Sequence, residues 1–468
     1  MFAVNKQFKL KSLVLNRSRV TCLLFVLIGC QAVPVIKIGG ESTFKIYELL
    51  GLILLMQGIK YRKMIFLQCC FIYFIIAPCL SLLWGWLVLG YPTGFFVRYA
   101  HEPILQSLRF NYYIFPVFCL MLMFANYCAI YSIVTSDWIY RNVYKVLRLF
   151  VYVGTVISLF SLLTLAGFNI RSILPSFLYN SRNYVDIRSS GFSLEPSNYI
   201  IYQTWVVIFI LAIRNQFKGT LYWYAILALN LASLFLTQSS SLIAFAIVLL
   251  LSPFLILKSS AKLRISIIVF VVAIFMVGVS LLKYWGIYDA FMYIFQGKVE
   301  GFLTSPDYTT NSGAFRNYTG RIGIEIWKSS PLFGTGVSMS AFYMYIYEFA
   351  MGIVHFGEVL TPGIYPQNLY TQTLAETGLL GFIPLVILLA YTIIVLWKRR
   401  RSNPLVSYLL MGTLCNTVYF FTNNTLYSFY LWVFIAFSVG YCFHIDQSHE
   451  KLNTNTANEN DINCYSDI

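Results

Sequence analysis

Leu379-Leu-Gly-Phe-Ile-Pro-Leu-Val-Ile-Leu-Leu-Ala-Tyr-Thr-Ile-Ile-Val-Leu-Trp397, followed at once by Lys398-Arg399-Arg400-Arg401, is the stretch that decides the fold. It holds no ionisable side chain other than Tyr391 and has the length of about 20 apolar residues that crosses a bilayer as a helix. The basic run that ends it marks the cytoplasmic side, where Lys and Arg accumulate beside membrane spans. Similar runs recur at about 20–36, 44–59, 64–90, 112–134, 147–167, 199–213, 220–238, 240–257, 265–283, 405–422 and 426–444. The chain has 468 residues, 59% hydrophobic and 11% charged, against roughly 25% charged in soluble domains. These features predict an all-α polytopic membrane protein with about 12 transmembrane helices and large periplasmic loops.

Orientation follows from the basic clusters. Lys6 to Arg19, Lys60 to Lys63, Arg141 to Arg148, Arg214 with Lys218, Lys258 to Arg264 and Lys398 to Arg401 fall on alternate sides of successive spans, so both termini are expected in the cytoplasm. The expected organisation is a cytoplasmic segment 1–19; transmembrane helices 1–9 over 20–283, with periplasmic loops at 91–111 and 168–198; a large periplasmic loop 284–378 with short helices; helices 10–12 over 379–444; and a disordered cytoplasmic tail 445–468. The net charge of +15 comes from these interspersed clusters and not from one soluble basic face, which argues against a nucleic-acid partner. Nine of the ten cysteines lie in the apolar runs and Cys464 lies in the tail. That placement supports neither a disulfide framework nor a metal site.

The spans carry almost no charge beyond Lys45 and Glu48, and polar residues inside the bundle look scarce. Ion-coupled transporters and flippases place such groups at mid-membrane. Here the charges crowd into the outward loops: Arg171, Arg182, Asp186, Arg188 and Glu195 in one, Arg316, Arg321, Glu325, Lys328, His355 and Glu376 in the other. Outward arginines run against the topology bias and suit a phosphate-bearing ligand, whose oxygens match the guanidinium fork. The plain alternative is loop ion pairs, Arg188 with Glu195 and Arg321 with Glu325.

Three segments stand out. Arg188-Ser-Ser-Gly-Phe-Ser-Leu-Glu195-Pro196-Ser-Asn198 runs into the sixth span, with Pro196 suited to a first helical turn and the helix N-terminus beside Arg188 suited to an anion. Gly320-Arg321-Ile-Gly-Ile-Glu325-Ile-Trp327-Lys-Ser-Ser-Pro331-Leu-Phe-Gly334-Thr-Gly336 reads as a short amphipathic helix closed by a Pro/Gly turn. Pro366-Gln367-Asn368-Leu-Tyr370-Thr-Gln-Thr-Leu-Ala-Glu376-Thr-Gly378-Leu-Leu-Gly381 reads as a helix capped near Gly378 that leads into the tenth span.

In this order and at these membrane positions, the three segments resemble the superfamily of O-antigen polymerases and O-antigen ligases. The first is closest to polymerases. The family often has His-Asn where this chain has Gln367-Asn368, which weakens the ligase reading and leaves the general base unassigned unless His355, in the same loop, substitutes for it. The resemblance implies a glycosyltransferase of the inner membrane that joins undecaprenyl-pyrophosphate-linked repeats on the periplasmic side, with no cofactor and no metal. It implies lipid and lipid-linked glycan as partners and leaves room for a chain-length-determining co-polymerase. The expected catalytic residues are Arg188, Arg321 and Glu195. Expected substrate contacts are Arg182, Arg316, Gln367, Asn368, Tyr370, Trp327 and His355. The competing functions are ligase, flippase and structural subunit of an envelope complex.

Overall fold

A computed structural model describes residues 17–31, 34–37, 43–56, 64–90, 112–168, 188–193, 196–217, 219–237, 312–350, 364–401, 403–421, 423, 426–427 and 429–464, with isolated positions between 239 and 296. In chain order the main elements are helix α1 (Arg17–Leu27), the antiparallel pair β1 (Pro34–Lys37) and β2 (Thr43–Lys45), and helices α2 (Ile46–Met56), α3 (Ile65–Leu89), α4 (Ile114–Val134), α5 (Asp137–Arg141), α6 (Val143–Leu165), α7 (Pro196–Ala212) and α8 (Thr220–Phe235). Then come α9 (Ser312–Ser329), α10 (Ser340–Ala350), α11 (Leu369–Arg399), α12 (Pro404–Tyr419) and α13 (Phe429–Cys464).

Among the described residues five helices are long and apolar enough to cross a membrane: Ile65–Leu89, Ile114–Val134, Val143–Leu165, Leu369–Arg399 and the Phe429–Gln447 part of α13. This is the architecture of a polytopic membrane protein. The helices α7 and α8 are apolar but shorter. Several expected spans coincide with helices, and three differences have physical reasons. The run at 20–36 is helical only to Leu27, and beyond Gly29 the chain turns into β1 at Pro34, whose ring removes a helical donor. Helix α3 contains two wider turns, Ile72–Ile76 and Gly85–Leu89, the second closing around Gly85, where a Cβ would lie 2.3 Å from the Thr335 carbonyl oxygen. Helix α13 continues to Cys464 through a segment read as disordered, because residues 448–464 contain neither Pro nor Gly to stop a helix. The expected span at 240–257 lies almost wholly outside the described residues, and that at 265–283 is described only at scattered positions.

Aromatic side chains form much of the central core. Phe25, Phe150, Phe209 and Phe434 pack around one another with Trp205 stacked on Phe434 at 4.7 Å. Polar groups inside the bundle are more numerous than expected, and those gathered between α6, α7 and α8 are neutral. Ser158 Oγ donates to Asn230 Oδ1 (2.9 Å) and shares a hydrogen bond with Tyr199 (3.1 Å), while Gln203 and Thr155 also bond Asn230. Each group is paired with another, which is how buried polar atoms avoid the desolvation cost of apolar surroundings.

Candidate active site

Two of the sequence motifs interlock at a break in α11. Asn368 caps the helix, its Oδ1 accepting from the backbone N–H of Tyr370 (2.9 Å) and of Thr371 (3.4 Å). The first segment stops at Gly378, whose φ of 61° is left-handed, and a second, apolar helix restarts directly after it. Such a break leaves carbonyls and N–H groups without helical partners. The loop Pro331–Gly336 supplies them. Thr335 N and Gly336 N donate to the carbonyls of Ala375 (2.8 Å) and Glu376 (3.0 Å), and Leu379 N and Leu380 N donate to those of Pro331 (2.9 Å) and Leu332 (3.1 Å). Approach this close needs glycine: a Cβ on Gly334 would lie 2.4 Å from the Glu376 carbonyl carbon, and one on Gly378 would lie 2.4 Å from the Leu332 oxygen. The Pro-Leu-Phe-Gly-Thr-Gly and Glu-Thr-Gly segments are therefore two halves of one splint.

Inside the splint lies Glu376, fully buried. Its Oε2 accepts from Ser338 N (2.9 Å) and from the Tyr427 hydroxyl, and its Oε1 accepts from Ser340 Oγ (2.6 Å) and Gln372 Nε2 (3.2 Å). Four donors fill the acceptor sites of its carboxyl oxygens. The site also lies at the N-terminus of α10, where the helix dipole favours negative charge. Ser338 is held at φ 65°, a strained conformation for a residue with a side chain. Its hydroxyl lies 3.0 Å from that of Tyr365. On α10, Tyr343 points its hydroxyl at the Gly90 carbonyl (3.5 Å), and burial pushes that hydroxyl up to about 12, so it remains a donor.

Helix α9 lies against the splint through one apolar face. Tyr318, Ile322 and Ile326, spaced four apart, pack with Met344 and Ala375. Thr319 Oγ1 accepts from Gln367 N (3.1 Å), which ties the second motif to the third. The opposite face presents Arg321, exposed and without a hydrogen-bond or ion-pair partner among the described residues. The ion pair with Glu325 is not formed, since Glu325 binds Lys328 instead (2.7 Å). Arg316 is half-buried on the same helix. Trp327 donates to the Pro331 carbonyl (3.0 Å) and so closes the turn after α9.

Arg188 is half-buried and has no hydrogen-bond or ion-pair partner among the described residues. The turn that follows it is fixed by serines: Ser189 N donates to the Leu236 carbonyl (2.8 Å), and Ser189 Oγ joins Ser161 and Ser233 (2.7 and 3.0 Å). Helix α12 bridges this motif to the third. Tyr419 at its end donates to the Ser197 carbonyl, the Phe420 carbonyl accepts from Leu369 N (2.9 Å), and the Tyr370 hydroxyl donates to the Thr417 carbonyl (3.1 Å). Arg188 thus sits with the α6–α8 group and Arg321 with the α9–α11 group, joined through α12. Glu195, Arg182 and His355 lie outside the described residues.

The fold engages several expected substrate contacts. The Asn368 side-chain oxygen is a helix cap, and the Tyr370 hydroxyl is bonded to α12. Replacing Asn368 with Ala should lower the melting temperature of the solubilised protein through about 1 kcal/mol of lost capping; Asn368→Asp should restore it, and equal melting of the Ala form would remove the capping role. Sequence reasoning did not place Glu376 among the functional residues. The available signal was a carboxylate in an apolar run just ahead of Thr377-Gly378.

Apolar helices long enough to cross a membrane, joined to a splinted loop–helix unit that carries an exposed arginine, define a class: polytopic membrane proteins with a polar unit packed on the bundle. Residues 225–386 match the family model described as O-antigen ligase, which supports membership of the O-antigen polymerase and ligase superfamily, a group of membrane glycosyltransferase-type enzymes. The matched region takes in both halves of the splint and Arg321, and excludes Arg188. No curated protein matches the chain.

Proposed function

We propose that the protein is an O-antigen polymerase. In this reading it joins undecaprenyl-pyrophosphate-linked oligosaccharide repeats at the periplasmic face of the inner membrane, with both termini in the cytoplasm. The observation that carries the reading is the Arg321 guanidinium, without a partner among the described residues, on a helix tied by backbone-level contacts to the rest of the motif set. Such a group is preorganised to meet the negative charge that develops on a pyrophosphate leaving group as the glycosidic C–O bond breaks. Arg188 is the second pyrophosphate ligand, and Arg182 and Arg316 are further substrate contacts in this reading. The acceptor sugar hydroxyl is oriented or deprotonated by Glu195, with His355 as the other candidate base. Gln367 and the Nδ2 of Asn368 bond sugar or phosphate, and the Trp327 ring offers a stacking face. A chain-length-determining co-polymerase fits this activity as a partner.

The description of the matched family favours a second reading, ligase activity with lipid A core as acceptor. A lipopolysaccharide profile of a deletion strain separates the two. Under the polymerase reading, core carrying a single repeat persists while the ladder vanishes, and the wild-type chain restores the ladder. Loss of even the single repeat supports the ligase instead.

A further inference from the structure

The end of the bundle far from the splint holds a cavity of about 460 Å³ where α1, α4 and α5 meet. The two ends are joined by α4. It starts beside Tyr112, which packs on Phe342 next to the splint at 5.6 Å. Its 21 residues span about 31 Å at a rise of about 1.5 Å per residue. The cavity is lined by Arg17, Ser132, Thr135, Ser136, Trp138 and Arg141. Arg17 is fixed in place, donating to Ser132 Oγ (3.1 Å) with its guanidinium over the Tyr131 ring at 5.2 Å. Ser136 Oγ is buried and makes no hydrogen bond among the described residues, although its residue starts α5. Arg141 is exposed. The one acidic group in the lining, Asp137, is turned to His444 Nδ1 (3.2 Å), whose ring stacks on Tyr140 at 4.4 Å.

We infer that this cavity is a headgroup site for an anionic phospholipid, its phosphate received between Arg17 and Arg141. The volume lies in the range of small-molecule sites and exceeds what a lone phosphate fills. Two guanidiniums and an unused buried hydroxyl match phosphate oxygens. The surroundings point to lipid over a soluble anion. Trp138 is 43% exposed, and beyond it α6 presents Tyr144 (42%), Leu149 (48%) and Tyr152 (38%) outward; an aromatic and apolar face of this kind beside a basic cavity suits the boundary between headgroups and acyl chains. The sequence just ahead of Arg17 is basic as well, with Lys6, Lys9 and Lys11, and basic residues beside a span are attracted to an anionic leaflet.

The test exposes the full-length protein in detergent micelles to equimolar phosphatidylglycerol and phosphatidylcholine and counts bound lipids by native mass spectrometry. Wild type should retain one phosphatidylglycerol that Arg141→Gln and Ser136→Asp hold about tenfold more weakly, the effect of one charge-assisted hydrogen bond, with phosphatidylcholine unchanged. If Ser136→Asp does not fold, Arg141→Glu reverses charge at an exposed position to the same end. Equal phosphatidylglycerol retention by all variants, or equal retention of both lipids by wild type, would overturn the site. Displacement of the lipid by inorganic phosphate at matched concentration would overturn the lipid assignment in favour of a soluble anion.

Discussion

Arg321→Ala is expected to reduce polymer formation by about 10²- to 10³-fold, the cost of removing one preorganised electrostatic donor from a charge-developing centre, while leaving the amount of protein in the membrane unchanged. The two halves of that expectation rest on opposite faces of α9. The buried face, Tyr318, Ile322 and Ile326, holds the helix against Met344 and Ala375 and does not involve residue 321. The outer face presents the guanidinium without an ion-pair partner among the described residues, Glu325 being engaged by Lys328. Surface substitutions away from packing and hydrogen bonds change stability by about 0.5 kcal/mol or less. Loss of ladder therefore reports lost chemistry and not lost protein. Arg321→Lys should rescue poorly, since an ammonium offers a point charge where the guanidinium offers two parallel donors. The measurement is a lipopolysaccharide ladder set beside an immunoblot of membranes, and a full-length ladder from the Ala form would end the role given to Arg321. A ladder lost together with the protein would return Arg321 to the fold.

The features legible in the sequence are those that depend on neighbours along the chain. The apolar runs at 112–134 and 64–90 correspond to Ile114–Val134 and Ile65–Leu89, because a span needs only length and apolarity. Pro196 opens α7, and the helix ahead of Gly378 ends there, since both follow from what one residue permits its own backbone. The Pro/Gly turn after α9 is legible for the same reason. The pairing of Thr335 with Ala375 is not, because those residues are 40 apart and joined through a main-chain carbonyl that every residue has. The buried network of Ser158, Tyr199, Gln203 and Asn230 escapes the sequence for a different reason. A search for charge in the spans passes over serine, asparagine and tyrosine, whose cost is hidden until their partners are known. Arg321 reads as an exposed cation and is one, whereas Glu376 reads as another loop charge and is buried.

Glu376→Ala should destabilise the protein by more than about 3 kcal/mol, as several buried donors lose their acceptor at once, and remove most of it from the membrane. The carboxylate gathers Ser338 N, Ser340 Oγ, Gln372 Nε2 and the Tyr427 hydroxyl, and each buried donor left without an acceptor costs about 1–3 kcal/mol. The Ser338 backbone, held at φ 65°, loses the contact that fixes its strained conformation, so the loop that splints the break at Gly378 loses its anchor as well. Glu376→Gln makes the discriminating variant. Its carbonyl oxygen can keep the bonds from Ser340 and Gln372, and the Tyr427 hydroxyl can rotate to accept from the new amide, but the Ser338 N–H then faces another donor. One conflict in place of four lost bonds predicts a folded protein with a lowered melting temperature. Fluorescence-detected size exclusion of both variants over a temperature series makes the comparison. If Glu376→Ala elutes and melts like wild type, the carboxylate does not hold the splint. If Glu376→Gln is folded yet makes no ladder, the carboxylate's charge serves the reaction itself and not only the geometry that carries Arg321.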